Sequence, residues 1–424
     1  MFARFRFARP RSVRRLASGV AVVVTAAAVA LASQPGMAPT ASGTAEASTT
    51  AAYAKGRGSL VDADHLRTVN ATDLATELAS DGFDPGTVEH DVDAYRLVYR
   101  TVDAHGAPTT ASGLLVLPRS GVRHLRTVSF THGTELFRGD APSVAEDVWG
   151  PAPAMTYASA GFAAVAPDYV GLGVGPGPHQ WKDVPSETTA SLDMLRAARA
   201  FVPRVGRTLK RDVFVTGFSQ GASAALGLAR ALQNGADRHF RLRAVAPISG
   251  AYDMAGAALP ALLDGEMASK PSVIYAAYFL VAWDRLHGLY DDPAEVFQAP
   301  YHQTIEGLLD GEHTGLEVVN GTPDTVGELL TPRAVAMLRH PTGRLAEALR
   351  VDASVCTDWT PRVPIRLYMI GDDAEAVPAN TDSCLAGLRS RGVDAPVIDL
   401  GTGGHLASNK LGAAQIVRWF SQLR

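Results

Sequence analysis

Apolar and polar positions change rhythm several times along this chain, and each change marks a boundary. From about Tyr53 to Phe83 the stretches LVDADHLRTV and ATDLATELAS are helical in character. Between Ala94 and Pro118 the pattern becomes an alternation, interrupted by the polar turn AHGAP, which predicts an antiparallel hairpin. Short β-rich apolar runs follow at Thr127–Thr131, Phe162–Asp168, Asp212–Gly217 and Leu242–Gly250, separated by helical stretches such as ETTASLDMLRAARAFV. Strands apolar on both faces, alternating with helices, predict an α/β fold with a mainly parallel sheet and helices on both faces.

After Gly250 the rhythm breaks. Residues 251–363 carry helical periodicity and little strand signal, and the βα pattern resumes at Ile365–Gly371 and in APVIDLG. The economical account is one domain in two pieces, 53–250 and 364–424, with a helical cap, 251–363, inserted between them. Tyr275, Tyr278, Phe279 and Trp283 make the cap aromatic, which suits an acyl or aryl group as well as plain core.

The N-terminus has its own logic. Six arginines (Arg4, Arg6, Arg9, Arg11, Arg14, Arg15) and no acid precede an apolar run from Leu16 to about Ala32, and small residues follow. This is the pattern of a secretory signal, 1–38, and the run is short for a membrane span of roughly 20 residues. Residues 39–52 read as a flexible leader, and the mature protein is expected outside the cell with no stable transmembrane association. In an oxidising compartment, Cys356 and Cys384 are expected to form a disulfide.

The chain has 424 residues, 46% of them hydrophobic, and a formal charge of -4. That charge argues against a nucleic-acid partner, which needs a basic face to neutralise phosphates. The glycine-rich Gly171–Gly177 resembles a nucleotide loop only superficially, because the spacing is wrong and Pro176 and Pro178 block a helix start. A flexible loop near a pocket is the better reading, and neither cofactor nor metal is expected. Asn70-Ala71-Thr72 matches a glycosylation acceptor.

The sharpest chemical signal is Gly217-Phe218-Ser219-Gln220-Gly221, a G-x-S-x-G between a strand and an Ala-rich helix. Small residues are needed there because the chain turns sharply and lifts the serine hydroxyl clear of the backbone. A serine needs a base, and the base needs an orienting carboxylate. His405, in a Gly-rich loop after the last strand, is the candidate base. Asp372, Asp373 and Glu375 all qualify by position as the acid, with Asp373 favoured. Asp352, Asp358 and Asp382 read as surface or cap-edge acids. For the oxyanion, the amides of Gln220 and Thr134 are the candidate donors; His132, beside the latter, reads as structural.

With these residues placed, the chain resembles the α/β-hydrolase superfamily, and within it the secretory-lipase (fungal lipase A-like) group of lipases and esterases. The matching landmarks are YRTVDAHGAPTTASGLLVLP, His132-Gly133-Thr134, AGFAAVAPDYVGLG, GFSQG, the helical insertion and GGH ending at His405. The resemblance implies hydrolysis of carboxylic esters, among them acyl glycerols, with Ser219, Asp373 and His405 as nucleophile, acid and base. One departure stands out. The group's G-x-x-D-x-x-V-P pattern would put the acid at the position of Ala374, so here it moves to Asp373 or a neighbour. A secreted peptidase or amidase with the same residues, and a non-catalytic envelope protein of this fold, remain the competing readings.

Overall fold

A computed structural model describes residues 56–423. The expected signal segment, 1–38, and leader, 39–52, lie outside the described residues. The framework is a nine-stranded sheet in the order β1-β2-β3-β5-β4-β6-β7-β8-β9. Its strands are β1 Leu60–Val69, β2 Val92–Val102, β3 Pro108–Pro118, β4 His124–Thr131, β5 Ala163–Pro167, β6 Thr208–Phe218, β7 Arg241–Ile248, β8 Leu367–Met369 and β9 Val397–Asp399. The first three pair antiparallel, as do β3 and β5, and every pair from β5·β4 through β8·β9 is parallel.

The hairpin expected between Ala94 and Pro118 is β2–β3, paired without slippage from Val92↔Pro118 to Val102↔Pro108. Its turn is set by the Asp103 carboxylate, which accepts from the His105 and Ala107 amides. One expectation fails here. LVDADHLRTV is not helical: it is β1, the sheet's edge, antiparallel to β2 with register shifts on either side of Asp62–His65. Its polar spacing satisfies both periods on paper. The open backbone edge of β2 decides between them, because a strand there satisfies a whole row of peptide groups. ATDLATELAS is the helix α1 (Ala71–Ser80), and Asn70 is its N-cap, with the side chain accepting from the Asp73 amide.

Helices cover both faces. α2 (Ala152–Ser159) and the C-terminal α8 (His405–Gln422) pack on one side with Phe130, Phe214 and Phe420 between. On the other lies α3 (Val184–Phe201), over Leu97, Leu115 and Val215, together with α4 (Gln220–Gln233). The C-terminal halves of the central strands β4, β6 and β7 are buried on both faces, while charged residues such as Arg211 and Asp212 stay at their exposed starts. Each fully buried Val or Leu there contributes about 1.5–3 kcal/mol.

Residues 251–363 hold one isolated bridge, Phe297↔Leu330, and their other regular elements are helices joined by loops. The longest helices are α5 (Ser269–His287) and α6 (Gly343–Thr357), and the aromatic side chains of α5 fill a core of their own with Leu309, Val318 and Leu338. Several short helices are fixed by local chemistry instead of length: Thr314 with Glu317, and Thr325 with Glu328, form reciprocal capping boxes. Cys356 on α6 is joined to Cys384 on α7 (Ala379–Ser390) by a disulfide. No helix among the described residues is long and apolar enough to cross a membrane.

Candidate active site

Ser219 sits between β6 and α4 with φ 57° and ψ -120°, a conformation that side-chain-bearing residues seldom adopt. The surroundings enforce it. Its amide donates to the Ile248 carbonyl of the neighbouring strand at 2.9 Å. The two flanking glycines have no room for a side chain: a Cβ at Gly217 would meet Thr131 Oγ1 and the Gly221 carbonyl, and one at Gly221 would meet the Thr131 and His132 carbonyls. Thr131 stitches the turn together by donating to Thr216 O and Gly221 O.

His405 is the first residue of α8, reached through Gly401, Gly403 and Gly404, all with positive φ. Its Nε2 lies 2.8 Å from Ser219 Oγ, and its Nδ1 lies 2.8 Å from Asp373 Oδ2. The second oxygen, Asp373 Oδ1, accepts from the amides of Glu375 and Ala376, both at 2.9 Å. All three side chains are buried. Ser, His and Asp thus form one hydrogen-bonded chain, in which Asp373 fixes the ring orientation and Nε2 faces the hydroxyl. Such a chain can draw the proton from Oγ as the oxygen attacks a carbonyl.

The other two candidate acids have different tasks. Asp372 is exposed and accepts from the Gly403 and Gly404 amides, which pull its pKa below the usual carboxylate range and pin the loop that delivers His405. Glu375 Oε2 accepts from the Tyr275 hydroxyl at 2.6 Å. Of the acids read as surface or cap-edge, Asp358 and Asp382 are exposed. Asp352 is a correction: it is buried and ion-paired to Lys182 Nζ at 2.9 Å. An Asp on a helix with a mixed face gives no sign of a cation arriving from another element.

Thr134 and Gln220 line the same cavity as Ser219. Gln220 opens α4, so its amide has no carbonyl one turn back to bond and is free to donate into the cavity. Thr134 is held by its hydroxyl, which accepts from Trp181 Nε1 at 2.9 Å. His132 is buried and stacks on Tyr169, with Nδ1 2.8 Å from the Gly133 carbonyl; burial lowers its pKa to about 4. Neutral, and bonded to the Gly133 carbonyl, it braces the loop.

The Gly171–Gly177 loop is tied down, contrary to the flexible loop expected there. Arg138 donates to the carbonyls of Gly175 and Gly177, and the Val174 amide donates to Ser112 Oγ. The residues after it matter more: Trp181 and Lys182 reach the cavity wall. Sequence reading missed both, since Lys182 owes its position to a left-handed backbone (φ 61°) that nothing in the sequence signals.

Apolar side chains close the cavity, with Met254, Ala258, Leu262 and Met267 opposite the serine. The space left is ≈ 30 Å³, enough for one or two water molecules. Among the described residues, no group of three or more His, Cys, Asp or Glu is arranged to hold a metal ion.

Sheet order, helices on both faces and a serine at the strand–helix turn define the α/β-hydrolase fold. Solved structures agree. A single-substitution variant of the rice cell wall degrading esterase LipA of Xanthomonas oryzae is 26% identical, covering 87% of this chain and 98% of that one with a TM-score of 0.74. A protein of Legionella pneumophila assigned as a hydrolase superposes with a TM-score of 0.78 at 23% identity, over 86% and 98% of the two chains. Candida antarctica lipase A in its closed state shares the fold at 15% identity, with a TM-score of 0.59 over 83% and 78%. No family model and no curated protein sequence matches the chain. The protein has the α/β-hydrolase fold, shared with known esterases and a lipase, and that likeness supports a hydrolase function.

Proposed function

We propose that the protein is a secreted serine hydrolase of carboxylic esters. The observation that carries this reading is the unbroken chain from Ser219 Oγ through His405 to Asp373, 2.8 Å at each step. His405 takes the Ser219 proton while Oγ attacks the ester carbonyl, and the Gln220 and Thr134 amides stabilise the oxyanion. His405 then gives that proton to the departing alcohol. In the second half it activates a water, which releases the acid and restores the serine.

The apolar residues facing Ser219 favour an acyl group over a charged one. Met254, Ala258, Leu262 and Met267 of segment 251–363 line that cavity, so the acyl chain is expected to pack against them. Export by the 1–38 segment agrees with the disulfide, a bond kept in oxidising compartments.

The test is hydrolysis of soluble aryl esters of increasing acyl length by the purified protein, beside labelling with a serine-reactive phosphonate. Ser219→Ala is expected to lower kcat at least about 10⁴-fold and to abolish labelling. Full labelling of that variant would defeat the assignment. A peptide anilide assayed in parallel, if cleaved faster than the ester, would turn the reading towards an amidase.

A further inference from the structure

Beneath the nucleophile turn lies a buried polar cluster that the ester-cleaving chemistry leaves unused. The Gln220 side chain bonds back to α3 and the loop before it. Its Nε2 donates to Glu187 Oε1 on α3 at 2.6 Å, and it lies 2.9 Å from His179 Nε2. The other nitrogen of His179, Nδ1, donates to the Val170 carbonyl, so Nε2 carries no proton and accepts from Gln220. Both amide hydrogens of Gln220 are therefore spent, and the carboxamide orientation is fixed. Glu187 Oε1 also accepts from the Lys182 amide at 3.1 Å.

Two oxygens of this pair are left over. Gln220 Oε1 and Glu187 Oε2 are both buried and without a hydrogen-bond partner. A buried oxygen without a partner is destabilising, and a single proton on Oε2 would satisfy both by closing an acid–amide ring. We propose that Glu187 is a positioning residue which, as the un-ionised acid, clamps the Gln220 side chain in such a ring and so holds the Gln220 amide in its oxyanion-binding place. This rests on the ester-hydrolase reading of Ser219.

Charge balance points the same way. The groups facing Glu187 are Lys182 and Asp183 before α3, His179 and Tyr169 from the loops after β5, Tyr278 on α5 and Asp352 on α6. Lys182 is the one cation among them; its ammonium donates to Ser223 Oγ and the Ala251 carbonyl and pairs with Asp352 Oδ1 at 2.9 Å. The pair Lys182–Asp352 is neutral and Asp183 can add only negative charge, so an ionised Glu187 would leave a net negative charge in a dry site. His179 cannot offset it, because burial drives its pKa down to about 3. Desolvation pushes Glu187 up to about 8, with Lys182 and the Gln220 bond opposing. The proton is thus held below that pH and lost above it, and kcat follows the loss while KM does not.

The experiment compares wild type, Glu187→Gln and Glu187→Met over pH 6 to 10 with a soluble ester, alongside infrared spectra. Wild-type kcat is expected to fall with a midpoint near about 8. Glu187→Gln keeps the ring through its own amide, so its kcat stays within a few-fold of wild type at pH 7 and shows no such fall. Glu187→Met lacks the clamp, with kcat lowered roughly tenfold at every pH and KM unchanged. The wild-type-minus-Glu187→Gln infrared spectrum at pH 7 should carry the carbonyl band of an un-ionised carboxylic acid. A wild-type profile flat to pH 10, the same fall retained in either variant, or no such band overturns the proposal. The infrared readout needs no substrate, so it fails or succeeds separately from the ester-hydrolase reading; should neither variant fold, the wild-type profile alone decides.

Discussion

The sheet and segment 251–363 both border the candidate site, but they build it by different means. On the sheet side, backbone geometry does the placing. Ser219 is fixed by a left-handed turn between two obligatory glycines, His405 by a glycine loop clamped to Asp372, and Asp373 by two amides. On the helical side, side chains such as Leu262 and Met267 form a wall with no comparable backbone constraint. The lesson is that chemistry and substrate choice are separable here. Substitutions on the sheet side should remove turnover, and those on the helical side should redirect it.

Four experiments bear on that contrast, in descending order of effect. Asp373→Asn should lower kcat by about 10³–10⁴-fold, some 4–5.5 kcal/mol of barrier, whereas Asp372→Asn should cost only about tenfold by loosening the His405 loop. Equal losses in kcat assays of the two would erase the distinction between orienting the ring and carrying its loop. Lys182→Met leaves Asp352 buried without its cation, and about 3–5 kcal/mol of stability should go, read by urea unfolding. The double variant Lys182→Met/Asp352→Leu should regain most of it, showing that the seam needs neutrality more than charge.

Removing the disulfide in Cys356→Ala/Cys384→Ala releases a sequence separation of 28 residues, for which chain entropy predicts a loss of roughly 3–4 kcal/mol by the same measurement. Activity at low temperature should persist, since neither cysteine lines the cavity. The smallest effect is Leu262→Ala, which widens the wall. It should raise kcat/KM for longer acyl esters relative to short ones by about tenfold, in line with 1–3 kcal/mol for a methylene-sized difference in an apolar pocket. An unchanged chain-length profile would mean that the acyl group lies elsewhere.

What was legible in the sequence follows the same division. The strands β2 to β7, the turn at Ser219 and the glycine loop before His405 were readable because buried strands and left-handed turns restrict residue type locally. β1 was misread as helical because its identity comes from a partner strand more than twenty residues away. Asp352 was read as a surface or cap-edge acid, and Glu187 drew no reading, for a related reason. Burial of a carboxyl is decided by what packs over it, and here those groups come from loops and helices far along the chain. Lys182 and Trp181 follow a glycine-rich segment whose course is set by Arg138, which no periodicity announces.

Ser219 is 8% exposed, above a space of ≈ 30 Å³. If the wall must part before a bulky phosphonate reaches the hydroxyl, its reaction rate has a ceiling set by the protein. Raising the reagent concentration should bring bulky and compact phosphonates to one shared plateau, the opening rate itself. Covalent capture of the serine is therefore a clock for breathing of the wall as well as a probe of nucleophilicity.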